Sequence, residues 1–189
     1  MKTENIEKIK KASKDLPEQW LLLFIVNAKE YLETNMAILK EVKKQEDIGG
    51  IYITLNRPYA SLIKILEQNN IKTDNLFFLD CITKTVGAEK EQENCLFLES
   101  PQNLTQLAIA IDEIAKAMPM KNKFLFIDAL STLLIYNQAG TVAKFLHFIT
   151  GKMRVLELKG VMLSIEKELD PKIAEHLEQF VDKVIDLSE

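Results

Sequence analysis

The stretch Phe124–Asn137, FLFIDALSTLLIYN, decides how the rest of the chain is read. Four apolar residues in a row suit a strand buried on both faces. Asp128 ends the run, and Ala129-Leu130-Ser131 turns the chain back into a second apolar segment. A buried strand that closes on an acid and feeds a helix is one half of a parallel crossover unit.

The same alternation extends outward in both directions. Downstream, Thr141–Leu158 reads as a helix with Phe145, Phe148, Ile149 and Leu156 on its apolar side. Gly160 then leads into a strand over Val161–Ile165, Asp170-Pro171 starts a last helix, and Val181–Leu187 is a last strand. Upstream, Ser100 is the expected N-cap of a helix with Pro101 at its first position, closed by Pro119. Trp20–Val26, Ile51–Leu55, Leu76–Leu79 and Cys95–Leu98 read as strands, with Gly49-Gly50 as a break and Thr83–Asn94 as a polar connector. Helices are expected over Tyr31–Lys44, with Leu32, Met36, Leu39 and Val42 facing inward, and from Pro58 to Asn69-Asn70. The expected fold is α/β, a mostly parallel sheet sandwiched by helices. Residues 1–16 form an N-terminal helix, over about Glu4–Ser13, ahead of a single core domain at 17–189.

Composition narrows the function classes. The 189 residues are 47% hydrophobic and 28% charged, enough for one sizeable core. A net charge of −4 argues against nucleic acid as a partner, because phosphate binders carry a basic excess. The one basic cluster, Lys8, Lys10, Lys11 and Lys14, is interleaved with Glu4, Glu7 and Asp15 and reads as a solvated helix face. The apolar runs are too short to span a bilayer and the first residues lack a signal-peptide core, so the expected compartment is the cytoplasm, without a membrane partner. Cys81 and Cys95 sit in apolar stretches and read as small buried hydrophobes, and His147 as a helix-packing residue. No metal site is expected.

FLFIDALSTLLIYN matches a Walker B pattern. With FLHFITGKMRVLELK, GVMLSIEK and FVDKVIDL it resembles the C-terminal half of the RecA-like fold, and in particular KaiC-like proteins, common in archaea. GIYITLNRP fits the first half, so the resemblance runs from about Pro17 to Leu187. It implies a RecA-like core, and an aspartate at the position of Asp128 that holds the magnesium shell of ATP. Such ATPases carry a glycine-rich loop after the first strand, whose amides and lysine cradle the phosphates. Here that loop is Asn27-Ala28-Lys29-Glu30-Tyr31-Leu32-Glu33-Thr34, and no glycine occurs before Gly49. Glu30 and Glu33 add charge repulsion against a triphosphate. Where the family has paired glutamates after the second strand, one of which activates water, this chain has Asn56-Arg57, and neither is a base at neutral pH.

These departures lead to the expectation of a non-catalytic RecA/KaiC-like domain, a protein-interaction or regulatory module with ATP binding and hydrolysis lost. It has no catalytic residue and no cofactor, and a protein partner or self-association is implied. The N-terminal helix bearing Ile6 and Ile9 either docks on a neighbour or caps its own sheet edge. The alternative is an unconventional nucleotide switch or ATPase, holding ATP-Mg at strand tips through Asn27, Lys29, Asn56, Arg57, Asp128 and Ser131. For Asp128 the structural expectation is that it accepts hydrogen bonds from backbone amides of the Ala129-Leu130-Ser131 turn. For Arg57 it is a solvated or carboxylate-paired side chain, against a phosphate contact.

Overall fold

The apolar runs become the seven strands of one sheet. In the computed structural model, residues 2–14, 16–45, 47–87, 91–166 and 171–188 are described. The strands are β1 (Leu21–Val26), β2 (Ile48–Thr54), β3 (Leu76–Asp80), β4 (Cys95–Phe97), β5 (Asn122–Asp128), β6 (Leu158–Ile165) and β7 (Lys183–Leu187). They lie in the order β4-β3-β2-β5-β6-β1-β7, and every neighbouring pair is parallel. The helices are α1 (Thr3–Lys11), α2 (Tyr31–Val42), α3 (Tyr59–Gln68), α4 (Leu104–Ala117), α5 (Leu130–Tyr136), α6 (Ala139–Val155) and α7 (Pro171–Phe180), with a 3₁₀ turn at Thr83–Val86. Among the described residues no helix is long and apolar enough to cross a membrane.

Strand side chains alternate between two cores. Leu22, Phe24, Tyr52, Phe78, Phe124 and Phe126 face α1, α2 and α3. Leu21, Leu23, Ile51, Ile53, Leu125 and Ile127 face α4, α5, α6 and α7. Burial on both faces is what makes the strands read as continuous apolar runs.

Several local expectations change. Gly49-Gly50 is no break: both residues lie inside β2, as Gly160 lies inside β6. A Cβ on Gly50 would stand 2.2 Å from Phe124 Cζ, on a rigid ring, so packing requires this glycine, whereas one on Gly160 would meet the movable end of Met153 at 2.4 Å. Helix α4 is capped three residues later than expected. Asn103 accepts from the Gln106 amide at 3.0 Å, whereas Ser100 Oγ serves only the Gln102 amide. The segment after Asp128 forms a separate helix, α5, before α6 begins. The inward face of α2 is centred on Asn35 and Ile38, with Leu32 only partly buried. Phe148 is exposed. Asp170, the expected start of α7, lies outside the described residues.

The N-terminal helix packs on its own domain. Ile9 and Ala12 are buried in the α2-side core, and Asn5 donates to the Leu187 carbonyl of edge strand β7 at 3.2 Å. His147 is exposed yet stacked on Phe180 of α7 at 4.6 Å between ring centres.

Candidate functional site

The chain leaves β2 toward β3 through α3 on one face, and leaves β5 toward β6 through α5 and α6 on the other. The connections diverge between β2 and β5, and ligand sites of open α/β sheets form beyond the strand ends at such a point. Thr54 and Asp128 are partners in register there, and the Leu55 amide donates to the Asp128 carbonyl at 2.8 Å.

The Asp128 side chain is buried and bonded across the sheet. The Tyr52 hydroxyl donates to its Oδ2 at 2.5 Å, and Asn35 Nδ2 of α2 donates to that hydroxyl at 3.0 Å. Tyr52 is itself fully buried, stacked on Phe126 with ring centres 4.9 Å apart. Asp128 Oδ1 has no hydrogen-bond partner among the described residues, and neither has Ser131 Oγ, buried in the first turn of α5. The expectation that Asp128 accepts turn amides is therefore corrected. Asp80 plays that role at the tip of β3, taking the amides of Tyr59, Ile82 and Thr83 at 2.7, 2.7 and 2.8 Å.

Burial sets the charge state. It pushes the Asp128 carboxyl up to about 8 from an ordinary 3.8, because a carboxylate loses its hydration there. The Tyr52 hydrogen bond favours the ionised form and opposes that shift. Burial also raises the Tyr52 phenol, which stays a donor throughout the range where Asp128 titrates. Burial thus favours the neutral form of this acid.

The other predicted residues divide between two places. Asn56 joins the β2–β5 tip: Thr132 Oγ1 donates to its Oδ1, and its Nδ2 lies 3.5 Å from the Tyr31 hydroxyl. Arg57 is held by its backbone, its amide donating to Thr54 Oγ1 at 3.3 Å and its carbonyl accepting from it at 2.6 Å. Its guanidinium is half-buried with no carboxylate partner among the described residues, so the paired form of its expectation does not hold. Asn27 and Lys29 belong to the tip of β1, which β6 separates from β5 by two strand spacings, roughly 10 Å. Asn27 reaches the other way, donating to the Ser188 carbonyl beyond β7 at 3.3 Å. Lys29 is exposed.

The loop between β1 and α2 is only residues 27–30, and it closes on itself. Asn27 Oδ1 accepts the Lys29 amide at 2.9 Å, and the Asn27 carbonyl accepts the Glu30 amide at 3.1 Å. Both amides are thus taken up within the loop itself. Among the described residues no group of three His, Cys, Asp or Glu side chains could hold a metal ion. Tyr31, Asn35, Tyr52 and Thr132 are the site residues that sequence reasoning missed. Asn35 and Tyr52 were nonetheless visible as polar side chains at inward positions of an apolar helix and an apolar strand.

Strand order and layering define an α/β domain with a parallel sheet, a fold shared with a solved KaiC-like protein. A KaiC-like protein of the hyperthermophilic archaeon Pyrococcus horikoshii, PH0186, superposes with a TM-score of 0.63 at 13% identity, over 91% of this chain and 72% of its own. PH0321, an uncharacterized protein of the same organism solved in complex with an unknown peptide, gives 0.70 at 14% identity, over 95% of this chain and 81% of its own. At these identities the likeness carries the fold. The chain belongs to the DUF7504 family, a family of unknown function whose model matches residues 44–187. No curated protein matches its sequence.

Proposed function

We propose that this chain is a non-catalytic KaiC-like domain, a protein-interaction or regulatory module that neither binds nor hydrolyses ATP. The observation that carries the reading is the β1–α2 loop. A phosphate cradle needs several backbone amides aimed at one point, usually from a glycine-rich loop. Here the loop has four residues, no glycine, and two of its amides spent on Asn27. The hydrogen bond that Asp128 Oδ2 already accepts from Tyr52 inside the sheet supports the same reading. The Pyrococcus horikoshii neighbour solved with a peptide is in keeping with a protein-binding role. The alternative nucleotide switch requires Lys29, Arg57 and Asp128 to converge, and Lys29 stands two strands away from Asp128.

Isothermal titration calorimetry with ATP-Mg tests the proposal. No binding heat and no melting shift are expected. A ligand at 100 times its Kd would stabilise the fold by about 2.7 kcal/mol, which a thermal melt reads easily. Micromolar ATP-Mg binding would overturn the reading.

A further inference from the structure

We infer that the α4–α6 face is a self-association surface, covered in solution by a second copy of this chain across a two-fold axis. Among the described residues, five of the eight exposed large hydrophobics lie on α4, α5 and α6: Ile109, Ile135, Tyr136, Phe148 and Val155. Ile109 and Phe148 are 53% and 52% exposed, and both line a cleft of about 540 Å³ between α4 and α6, floored by the buried Leu104 and Phe145. Val155 continues the stripe at 80% exposure. Aromatic and branched apolar side chains grouped along a groove mark contact sites rather than ordinary solvated surface.

Gly151 is an independent sign. It lies inside α6, between Phe148 and Val155, where glycine costs helix stability relative to alanine. A Cβ there would meet nothing within 4 Å, so the chain's own packing gives no reason for it. A bare backbone between two exposed apolar side chains lets another chain approach closely.

The charges around the patch indicate which chain. Asp112 is neutralised by Lys116 and Lys152, each at 2.5 Å. Glu113, one turn beyond Ile109 on α4, and Lys144, one turn before Phe148 on α6, are both exposed and have no partner among the described residues. Opposite charges flanking an apolar patch are self-complementary. A two-fold axis midway between them sets each Glu113 against the partner's Lys144, with Ile109 and Phe148 near the axis. The inference deepens the interaction reading by naming the surface and its occupant. Its failure would leave the nucleotide result, measured separately, untouched.

Sedimentation equilibrium on the full chain, from micromolar to near-millimolar concentration, tests it. The wild type is expected to dimerise. Phe148→Asp should weaken the dimer at least about tenfold, the scale of a buried aromatic anchor. Glu113→Lys and Lys144→Glu should each weaken it severalfold, and the double exchange should restore it, because a contact that sets Glu113 of one copy against Lys144 of the other becomes attractive again when both charges are exchanged. All three positions are exposed, and circular dichroism confirms that each variant folds. A monomer throughout the range overturns the inference. So does a dimer indifferent to Phe148→Asp, or a double exchange that remains as weak as the single ones.

Discussion

Replacing Asp128 with asparagine should remove most of the fall in stability between pH 4 and pH 8. The native carboxyl, raised to about 8 by burial, keeps its proton where the unfolded chain, near 3.8, has lost it. A group whose pKa is raised on folding contributes stability that is complete below the unfolded value. That contribution is lost as pH climbs through the folded one. The slope is about 1.4 kcal/mol per pH unit, so the ceiling over this window is about 5–6 kcal/mol. The Tyr52 hydrogen bond to Oδ2 reduces it, and the opposing slope of Asp112, lowered by its hydrogen bonds with Lys116 and Lys152, acts at the acid end.

Asparagine is nearly isosteric and cannot ionise. Its Oδ1 can accept from Tyr52, while its amide takes the place of an oxygen that already lacks a partner. Urea titrations at pH 5, 6, 7 and 8, followed by the fluorescence of the single, buried Trp20, supply the free energies. Wild type should lose stability steadily across the series, and Asp128→Asn should lose much less, ending above wild type at pH 8. Identical slopes for the two proteins would refute the assignment of a buried, protonated Asp128.

The glycines of the sheet give a second test: Gly50→Ala drives a methyl toward Phe124 and Leu76 and should cost about 1–3 kcal/mol, read as a lowered urea midpoint. Gly140→Ala, with open space at its Cβ, should be neutral or slightly stabilising in the same assay. Burial, with the Asp80 carboxylate second, pushes the Cys81 and Cys95 thiols up to about 12. A thiol reagent at pH 8 should therefore leave the native protein unlabelled and modify two thiols in urea; rapid native labelling would contradict their burial.

Strands were legible where both faces are buried, because such a strand has no polar alternation to confuse with a helix. β1 was read from its WLLLFIV run with one residue of error. The glycines misled, because glycine is both the commonest turn residue and the smallest packing residue. What selects between these roles at Gly50 is Phe124, on a strand far away in sequence. Ser100 and Asn103 are both competent caps, and only the docking of α4 chooses. The strand-tip positions of Asn56 and Asp128 followed from the alternation. The partner of Asp128 did not, since Tyr52 lies 76 positions away in the middle of an apolar strand. The exposure of Phe148 was equally hidden, because periodicity cannot tell a helix face turned to its own core from one turned to another molecule.

Tyr52 also explains how a buried acid is accommodated at the β5 tip. A buried carboxylate left without its ligand would cost several kcal/mol, and selection would remove it or pair it. A tyrosine two residues short of the β2 end meets both demands of such a place. Its ring fills apolar volume against Phe126 and Phe78, and its hydroxyl supplies one donor at Oδ2. Asn35 then fixes that hydroxyl from α2, so three elements are joined at this tip by side chains. The acid bears the rest of the cost by keeping its proton. Asp128 is thus compatible with a domain that binds no metal, and its presence at the β5 tip is not by itself evidence of an ATPase.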